Sequence, residues 1–297
     1  MQTRRDFIKQ AGVLISAGAF LTPKFSQAAK LNKFGIQLYT LRDVIEKDTK
    51  NVLSHLSKDG YKELEAYGVD TGKFFGHAAK EFKKMVEDLG MKTVSTHASM
   101  GRPVGKTAKD GLDVCAPKWK KAVEAANEAG LKYINIPYLE DHFRKTEDDV
   151  KQTAEIFNKL AEYAKAHGLD FAYHNHDFEF QKVGNKEIYD ILLAETDAKL
   201  VKFEMDLYWV VYAERDPIAY FDKHPGRFPM WHIKDMNKTN RKENTDIGKG
   251  SIDFVKLWKH SEKAGLKHSF VEQETGYNPD SITSAKHSAD YLKTVNY

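Results

Sequence analysis

The sequence predicts an α/β fold, a single (β/α)8 TIM barrel, and three observations lead to it. From Lys33 onward, a short apolar run and an amphipathic stretch alternate eight times. Several amphipathic stretches end in a glycine directly before the next apolar run, as at Gly90 and Gly168, and glycine there supplies the left-handed cap that ends a helix. No Pro/Ser-rich linker interrupts the alternation. Residues 29–297 are therefore expected to form one domain, with the barrel over roughly residues 33–295.

The eight apolar runs are the candidate strands. Strict alternation of strands and helices implies a parallel sheet with right-handed crossovers, and eight units is the count of a closed barrel. An open, doubly wound sheet is the alternative, but such a sheet has a glycine-rich turn after its first strand, where this chain has Gln37-Leu38-Tyr39. The candidate strands are Phe34–Tyr39, Lys62–Ala66, Lys92–Thr96, Tyr133–Ile136, Asp170–Tyr173, Leu200–Met205, Phe228–Ile233 and Ser269–Glu272.

The first 28 residues have the layout of an export signal. Arg4 and Arg5 lie in a charged segment, an uncharged stretch runs from Ala11 to Leu21, and small residues flank Gln27. Paired arginines in this position are typical of twin-arginine signals, which direct folded proteins across a bacterial inner membrane. The apolar stretch is well short of the ~20 residues of a spanning helix, although a membrane anchor is the alternative. We therefore expect a periplasmic protein with no stable membrane insertion after residues 1–28 are removed.

The charge balance does not favour a nucleic-acid-binding protein. The chain has 46 basic and 43 acidic residues, and without residues 1–28 it has 42 of each. A net charge near zero provides no general attraction to nucleic acid or to an anionic membrane. Cys115 is the only cysteine, so no disulfide within the chain is expected, and about 270 residues can bury a sufficient core without one.

Polar residues are concentrated at the ends of the candidate strands, where a barrel of this type has its active site. Side chains two positions apart on a strand share a face, so three pairs are each expected to project to one side. A barrel interior is normally filled with branched apolar residues, and charged pairs there need a partner such as a metal ion or a polar ligand. The pairs are His174 with His176, His232 with Lys234, and Glu272 with Glu274.

Three residues at successive strand ends suggest a metal site. Asp206, His232 and Glu272 offer a mixed set of oxygen and nitrogen donors. Such a set suits one divalent ion of Mn, Mg, Co or Zn and leaves coordination positions open for substrate oxygens. Any one of these residues alone is more often a turn or cap residue, and their occurrence together is what favours a metal.

The same segments resemble the xylose isomerase-like superfamily of sugar isomerases and epimerases, which is related in fold to apurinic/apyrimidinic endonucleases. The resemblance extends over the whole mature chain and implies a metal held by Asp206, His232, Glu272 and one further glutamate. It is carried by Phe203-Glu204-Met205-Asp206, His232-Ile233-Lys234-Asp235, Ile247–Asp253 and Val271-Glu272-Gln273.

The fourth ligand is where this chain departs from the superfamily pattern. Where the pattern has a glutamate at the end of a strand, this sequence has His174-Asn175-His176, followed by Glu179. Either Glu179 reaches back toward the metal, or His174 replaces the carboxylate. We take Glu179 as the fourth ligand and keep His174 as the alternative.

The other candidate residues are assigned from their side-chain chemistry. His174 and His176 are candidates for moving protons, because histidine titrates near neutral pH. Lys234 is a candidate for stabilising an enolate oxygen, and an ion pair with Asp235 or Glu272 is its alternative role. Candidates for contacting the substrate are His97, Glu274 and Trp209.

The resemblance implies a divalent-metal-dependent isomerase or epimerase of carbohydrate metabolism that removes a proton next to a carbonyl group and forms an enediolate. Because sugar phosphates are cytosolic, the expected export favours an unphosphorylated carbohydrate as the small-molecule substrate. The first alternative is a lyase or hydrolase that acts on 3-keto-glycosides through the same enolate chemistry, and the second is a non-catalytic periplasmic sugar-binding protein. A phosphodiesterase is disfavoured because Trp209 stands where the endonucleases have a histidine ligand. The sequence leaves the oligomeric state open.

Overall fold

The computed structural model describes residues 33–100 and 111–296, and for residues 111–116 it describes the backbone only. Eight parallel strands form a closed barrel in which the first strand pairs with both the second and the last. The predicted fold class is confirmed, while residues 1–28, the predicted signal, lie outside the described residues. The barrel strands are β1 Gly35–Gln37, β2 Glu63–Tyr67, β3 Lys92–His97, β4 Tyr133–Ile136, β5 Asp170–His174, β6 Val201–Asp206, β7 Met230–Ile233 and β8 His268–Val271.

Two strand boundaries differ from the prediction by two residues, each for a local reason, and the others differ by one residue at most. The predicted first strand ends early, because the side-chain oxygen of Gln37 accepts a hydrogen bond from the backbone N–H of Tyr39 at 3.0 Å and the chain turns into a 3-10 helix, Leu38–Leu41. Strand β7 begins only at Met230, because Pro229 has no N–H to contribute to a sheet.

Helices cover the outside of the barrel between successive strands. Most of the apolar side chains form one core between the helices and the sheet. Within the described residues, no helix is both long and apolar enough to span a membrane. The helices are α1 Thr49–Asp59, α2 Ala79–Glu87, α3 Gly111–Glu128, α4 Glu147–Ala166, α5 Ile188–Glu195, α6 Leu207–Tyr212, α7 Pro217–Lys223, α8 Phe254–Trp258, α9 Ser261–Ala264 and α10 Ser281–Leu292.

Helix α4 shows how the sequence pattern produces these elements. Thr146 and Asp149 form a reciprocal capping box, so the helix begins at Glu147, before the first periodic apolar residue. This arrangement satisfies backbone N–H groups that have no partner within the helix. The side chains of Phe157 and Leu160 are buried on the face that packs against the barrel.

Three short hairpins extend the carboxyl ends of β2, β5 and β7, and none of them was predicted. Each consists of two strands of two residues, too short to produce an alternating apolar pattern. They enlarge the end of the barrel at which the strands finish, which is called the mouth here. The hairpins pair Lys73–Phe74 with His77–Ala78, Lys182–Val183 with Lys186–Glu187, and Asp235–Met236 with Asn244–Thr245.

The interior of the barrel is layered from apolar to polar. A separate cluster of Val94, Tyr133, Ala172, Met230 and Phe270 fills its lower part. Above this cluster the inward-facing positions are occupied by buried charged residues, among them Glu65, Glu204 and His232. Unpaired charges are costly in the interior of a barrel. The polar layer therefore indicates the position of the functional site.

Candidate metal centre and active site

Four buried side chains converge at the mouth, from four consecutive strands. His174 ends β5, Asp206 ends β6, His232 lies on β7, and Glu272 directly follows β8. Each side chain offers one donor atom, and these atoms all lie within 4.8 Å of one another. Glu272, the most exposed of the four, has only 5% of its surface accessible. The structure thus brings the three predicted ligands Asp206, His232 and Glu272 together.

Burial and neighbouring charges set the protonation of this group. Burial raises the pKa of Asp206 to about 6, against the opposing effect of Lys234. Burial would also raise the pKa of Glu272, but the charges of Lys234 and His232 hold it well below its ordinary value. Burial lowers the pKa of His174 well below its ordinary value. His174 is therefore a neutral imidazole with a lone pair available to a metal ion.

Lys234 lies within the same set of carboxylates. Its Nζ is 2.6 Å from Glu274 Oε1, 2.8 Å from Glu272 Oε2 and 3.2 Å from Asp206 Oδ2. Burial alone would lower the pKa of Lys234, but these three carboxylates raise it well above its ordinary value. Of the two ion-pair partners considered from the sequence, the structure shows Glu272. The ammonium group is fully charged and is held at the floor of the site.

A cavity of about 320 Å³ opens above the group, and His174 and Glu272 form part of its wall. Two tyrosines at its rim, Tyr39 and Tyr138, are 38% and 44% exposed. No lysine or arginine occurs among the described residues of the wall, whereas three of them are carboxylic acids. The described wall consists of Tyr39, Tyr67, Gly68, Asp70, His97, Ser99, Pro137, Tyr138, His174, His176, Glu272 and Glu274.

His176 is held at the cavity wall by aromatic rings. Its imidazole stacks on Phe178 at a centroid distance of 5.6 Å and contacts Trp209 at the same distance. Burial, and then the charge of Lys234, lowers the pKa of His176 to about 3. Its Nδ1 is buried, and no described residue forms a hydrogen bond with it. His176 is therefore a neutral imidazole at physiological pH.

Trp209 lies behind His176 and is absent from the described part of the cavity wall. Its backbone N–H donates a hydrogen bond to Asp206 Oδ1 at 3.1 Å. The other two predicted substrate contacts, His97 and Glu274, do line the cavity. Of the three, Trp209 is thus the one that the structure places as a support for site residues.

Comparisons with known proteins agree with this geometry. Residues 53–295 match the family described as xylose isomerase-like TIM barrel. The chain belongs to this family. A solved sugar phosphate isomerase/epimerase from Parabacteroides distasonis is 33% identical, with a TM-score of 0.77 and coverage of 91% of this chain and 96% of that one.

Two proteins of lower sequence identity are also similar to the chain. An inosose dehydratase from Clostridium perfringens is 26% identical over 72% of this chain and 78% of the relative. The IolI protein, solved with a bound zinc atom, is 16% identical with a TM-score of 0.69, covering 87% of this chain and 95% of that one. At that identity the similarity to IolI shows the fold alone.

The structure does not bring Glu179 to the group of four, and His174, the alternative considered from the sequence, is a member of that group. Glu179 belongs to a 3-10 turn, Phe178–Phe180, in which its side chain is fully buried. There it accepts hydrogen bonds from the hydroxyl of Tyr173 and from the backbone N–H of His176, the latter at 2.8 Å. Burial raises the pKa of Glu179 to about 7. Its role is to hold the loop that presents His176.

Two buried carboxylates, Glu65 and Glu204, were missed in the sequence. Glu65 Oε2 is 2.6 Å from His232 Nε2, and Glu204 Oε2 is 2.9 Å from His97 Nε2. Burial would raise the pKa of Glu65, but the charges of His97 and His232 lower it well below its ordinary value. The two-residue period that pairs His232 with Lys234 also pairs Glu204 with Asp206, so the signal was present in the sequence.

The glycine-rich stretch after β7 binds a polar group of the chain itself. The Asp235 carboxylate accepts hydrogen bonds from the backbone N–H groups of Gly248 and Gly250, both at 2.9 Å, and of Ile252 at 3.2 Å. A Cβ on Gly250 would lie 2.1 Å from Asp235 Oδ1. Gly250 is therefore required for this close approach, and the loop fixes the strand end that carries His232 and Lys234.

The four donors fit a divalent cation. Asp206 Oδ2 is buried and forms an ion pair with Lys234 at 3.2 Å, but it accepts no hydrogen bond from any described residue. Two imidazoles with two carboxylates form a donor set that Mn²⁺, Co²⁺ and Zn²⁺ accept. His174, Asp206, His232 and Glu272 would hold the ion, and its two charges would balance those of the two carboxylates.

Proposed function

We propose that this protein is an enzyme that removes a proton from the carbon next to the carbonyl group of an unphosphorylated carbohydrate, giving isomerisation or epimerisation. The observation that carries the proposal is the group of four buried metal donors at the floor of a cavity whose wall includes His97, His174 and His176. A divalent ion bound there would supply positive charge where the carbonyl oxygen gains negative charge.

The residues of the chain supply the proton transfer. His176 lines the cavity and is not a member of the group of four metal donors, so its imidazole is placed to accept the proton as a general base. The Lys234 ammonium, charged and held by three carboxylates, would stabilise the oxygen that becomes negative. His97 and Glu274 would bind hydroxyl groups, and Tyr39 and Tyr138 would pack on the sugar ring at the rim.

An unphosphorylated substrate is supported by the charges of the cavity. Phosphate groups are usually bound by Arg or Lys side chains or by a helix N-terminus. The described wall has neither arginine nor lysine and presents Asp70, Glu272 and Glu274. These carboxylates would repel a phosphate and accept hydrogen bonds from sugar hydroxyls.

Elimination from the same intermediate is a second candidate function. A dehydratase or a 3-keto-glycoside lyase needs a base for the proton and an acid for the leaving group. His176 at the cavity wall and Lys234, whose Nζ lies 2.8 Å from Glu272 Oε2 at its floor, are the candidates for these two roles. The curated relatives that are inosose dehydratases also support this alternative.

The reaction class is tested by proton NMR in D₂O with free sugars, inososes and 3-keto-glycosides as substrates. Deuterium is expected to enter the carbon next to the carbonyl, and chelation of metal is expected to stop both exchange and turnover. An isomerase or epimerase gives a product of unchanged composition, whereas a lyase releases water or an alcohol. Turnover by cleavage at the anomeric carbon without exchange would contradict both candidates.

We also propose that the enzyme acts in the periplasm, on the basis of the predicted twin-arginine signal in residues 1–28. Amino-terminal sequencing of the protein from a periplasmic extract is expected to find the chain starting near Ala29. A full-length chain in the cytoplasm or the membrane would contradict this location.

A further inference from the structure

A second set of potential metal donors lies deeper in the barrel than the group at the mouth. His97, His174, Glu204 and His232 each offer one donor atom, and these atoms also lie within 4.8 Å of one another. Glu204 Oε2 is the common point of this set, at 2.9 Å from His97 Nε2, 3.2 Å from His174 Nδ1 and 3.2 Å from His232 Nε2. We call this set the inner site, and the group of His174, Asp206, His232 and Glu272 the outer site.

The two sites share His174 and His232 but use opposite nitrogens of each ring. The Nδ1 of His174 faces Glu204 in the inner site, and its Nε2 faces Asp206 in the outer site at 3.7 Å. The Nε2 of His232 faces the inner site, and its Nδ1 lies 2.9 Å from Glu272 Oε2 in the outer site. A neutral imidazole has a lone pair on only one nitrogen, because the other carries the proton. Each ring can therefore serve one site at a time.

The inner site also buries two carboxylates that have histidines but no lysine or arginine among their described ion-pair partners. Glu65 and Glu204 are both fully buried. In addition, Glu204 Oε1 is buried without a hydrogen-bond partner among the described residues. When the surrounding histidines are neutral and bind a metal through their nitrogen lone pairs, a divalent cation would balance these two buried carboxylates.

We propose that the barrel holds one divalent ion in either of two mutually exclusive sites, with Zn²⁺ preferring the inner site and Mn²⁺ the outer site. The inner site offers three imidazole nitrogens and one carboxylate, a set that suits four-coordinate zinc. The outer site offers two imidazoles and two carboxylates beside the open cavity, which suits a harder ion that keeps additional oxygen ligands. The inference rests on the proposed function only in requiring a divalent ion at the mouth.

The test measures metal binding by the chelator-stripped full chain, using Mn²⁺ alone and Zn²⁺ alone in equilibrium dialysis. Glu204→Gln alters only the inner site, and Asp206→Asn alters only the outer site. Glu204→Gln is expected to weaken Zn²⁺ binding by about tenfold or more and Mn²⁺ binding by about threefold at most. Asp206→Asn is expected to give the reverse pattern. The wild-type chain is expected to bind one ion of either metal.

The alternative is a single outer site in which Glu204 only orients His232. Substitution of a supporting residue of that kind weakens the binding of every metal at the site, by about 10–100-fold. A parallel loss of affinity for Mn²⁺ and Zn²⁺ in Glu204→Gln would therefore overturn the proposal. Two ions bound per wild-type chain would overturn it as well. His97→Gln is a second inner-site variant in case Glu204→Gln fails to fold, and Glu63→Gln, far from both sites, is the matched control.

This outcome is separable from the outcome of the proposed function, because no substrate is present in the dialysis. If Glu204→Gln mainly weakens Zn²⁺ binding and Asp206→Asn mainly weakens Mn²⁺ binding, but no substrate is turned over, the result would support the two sites and count against the proposed reaction. Turnover that depends on metal, combined with a parallel loss in Glu204→Gln, would leave the proposed function intact and overturn the two sites.

Discussion

Both ends of the barrel bury carboxylates, but the two ends differ in the charged groups that lie next to these carboxylates. At the amino end, Glu63 is 1% exposed and is contacted by three side-chain nitrogen atoms: Lys33 Nζ at 2.7 Å, Lys92 Nζ at 3.2 Å and His268 Nδ1 at 2.8 Å. The two lysines remain about half exposed, with relative side-chain accessibilities of 44% and 59%. The charges at this end are thus neutralised by groups that stay in contact with water.

At the mouth the carboxylates outnumber the lysines that could neutralise them. Asp206, Glu272 and Glu274 share the single ammonium of Lys234, and Glu65 and Glu204 have histidines alone as ion-pair partners among the described residues. The comparison indicates that a buried acid surrounded by surface cations serves stability. A buried acid that is left without enough cations marks the position where a ligand must bind.

The largest effect is expected from matched isosteric changes at the two ends. Asp206→Asn removes a carboxylate from the mouth and is expected to lower kcat/KM by about 1,000-fold or more, since positive charge at the carbonyl oxygen would be lost. Glu63→Gln at the amino end is expected to leave kcat/KM within about twofold. Turnover of both purified variants, with far-UV circular dichroism to verify the fold, is the measurement. Equal losses in the two variants would show that the ends do not differ in the way proposed.

The second largest effect is expected from replacing His176, the proposed general base. His176→Gln is expected to lower kcat by about 100- to 10,000-fold, the usual contribution of a general base, while the binding of Mn²⁺ stays within about threefold, because His176 belongs to neither donor set. Trp209→Phe, which keeps an aromatic ring behind His176, is the control and is expected to retain most activity. Loss of metal binding in His176→Gln would assign it to the metal site and contradict its role as the base.

Lys234 permits a test of charge balance at the mouth. Lys234→Met removes the ammonium shared by three carboxylates and leaves two of them, Asp206 and Glu272, buried without a lysine, which is costly unless a cation replaces it. We expect the Tm of this variant to fall by several degrees in the presence of a chelator and to recover with Mn²⁺, whereas the wild-type Tm changes less. Calorimetry with and without the chelator measures this difference. A Tm that is insensitive to metal would show that the carboxylates do not hold a cation.

The sequence was sufficient for the fold and for part of the site. The alternation of apolar runs and amphipathic stretches predicted the barrel, because each unit has a local pattern. The strand ends predicted the convergence of Asp206, His232 and Glu272, because parallel strands finish at the same edge of a barrel. The two-residue hairpins at the mouth could not be predicted, since they are too short to have a period.

Two site errors have different physical causes. Glu179 was chosen because it is a carboxylate near a strand end, but the direction of its side chain is set by the Phe178–Phe180 turn and by the hydroxyl of Tyr173. Sequence spacing contains no information about such a turn. Glu204 was missed for the opposite reason, because it lies within a strand whose period already directed it to the barrel interior.

The smallest expected effect is the contribution of Glu63 to stability. Burial would raise the pKa of Glu63, but the hydrogen bond from His268 and the contact with Lys33 outweigh it and lower the pKa to about 2, from an ordinary value of 4.5. A carboxyl group with a lowered pKa in the folded state stabilises the protein above its unfolded pKa, and this stabilisation is lost as the pH falls through the folded pKa.

At neutral pH, Glu63→Gln is therefore expected to lower the free energy of unfolding by about 1–2 kcal/mol, after allowance for solvent screening at the exposed lysines. The difference from the wild type should be constant above about pH 5 and should shrink as the pH falls from about 4.5 toward 2, where the wild-type carboxyl group also becomes neutral. Urea unfolding of both proteins at several pH values measures it. A difference that persists unchanged at pH 2 would mean that Glu63 acts through packing, and the contrast between the two ends would then lose its electrostatic basis.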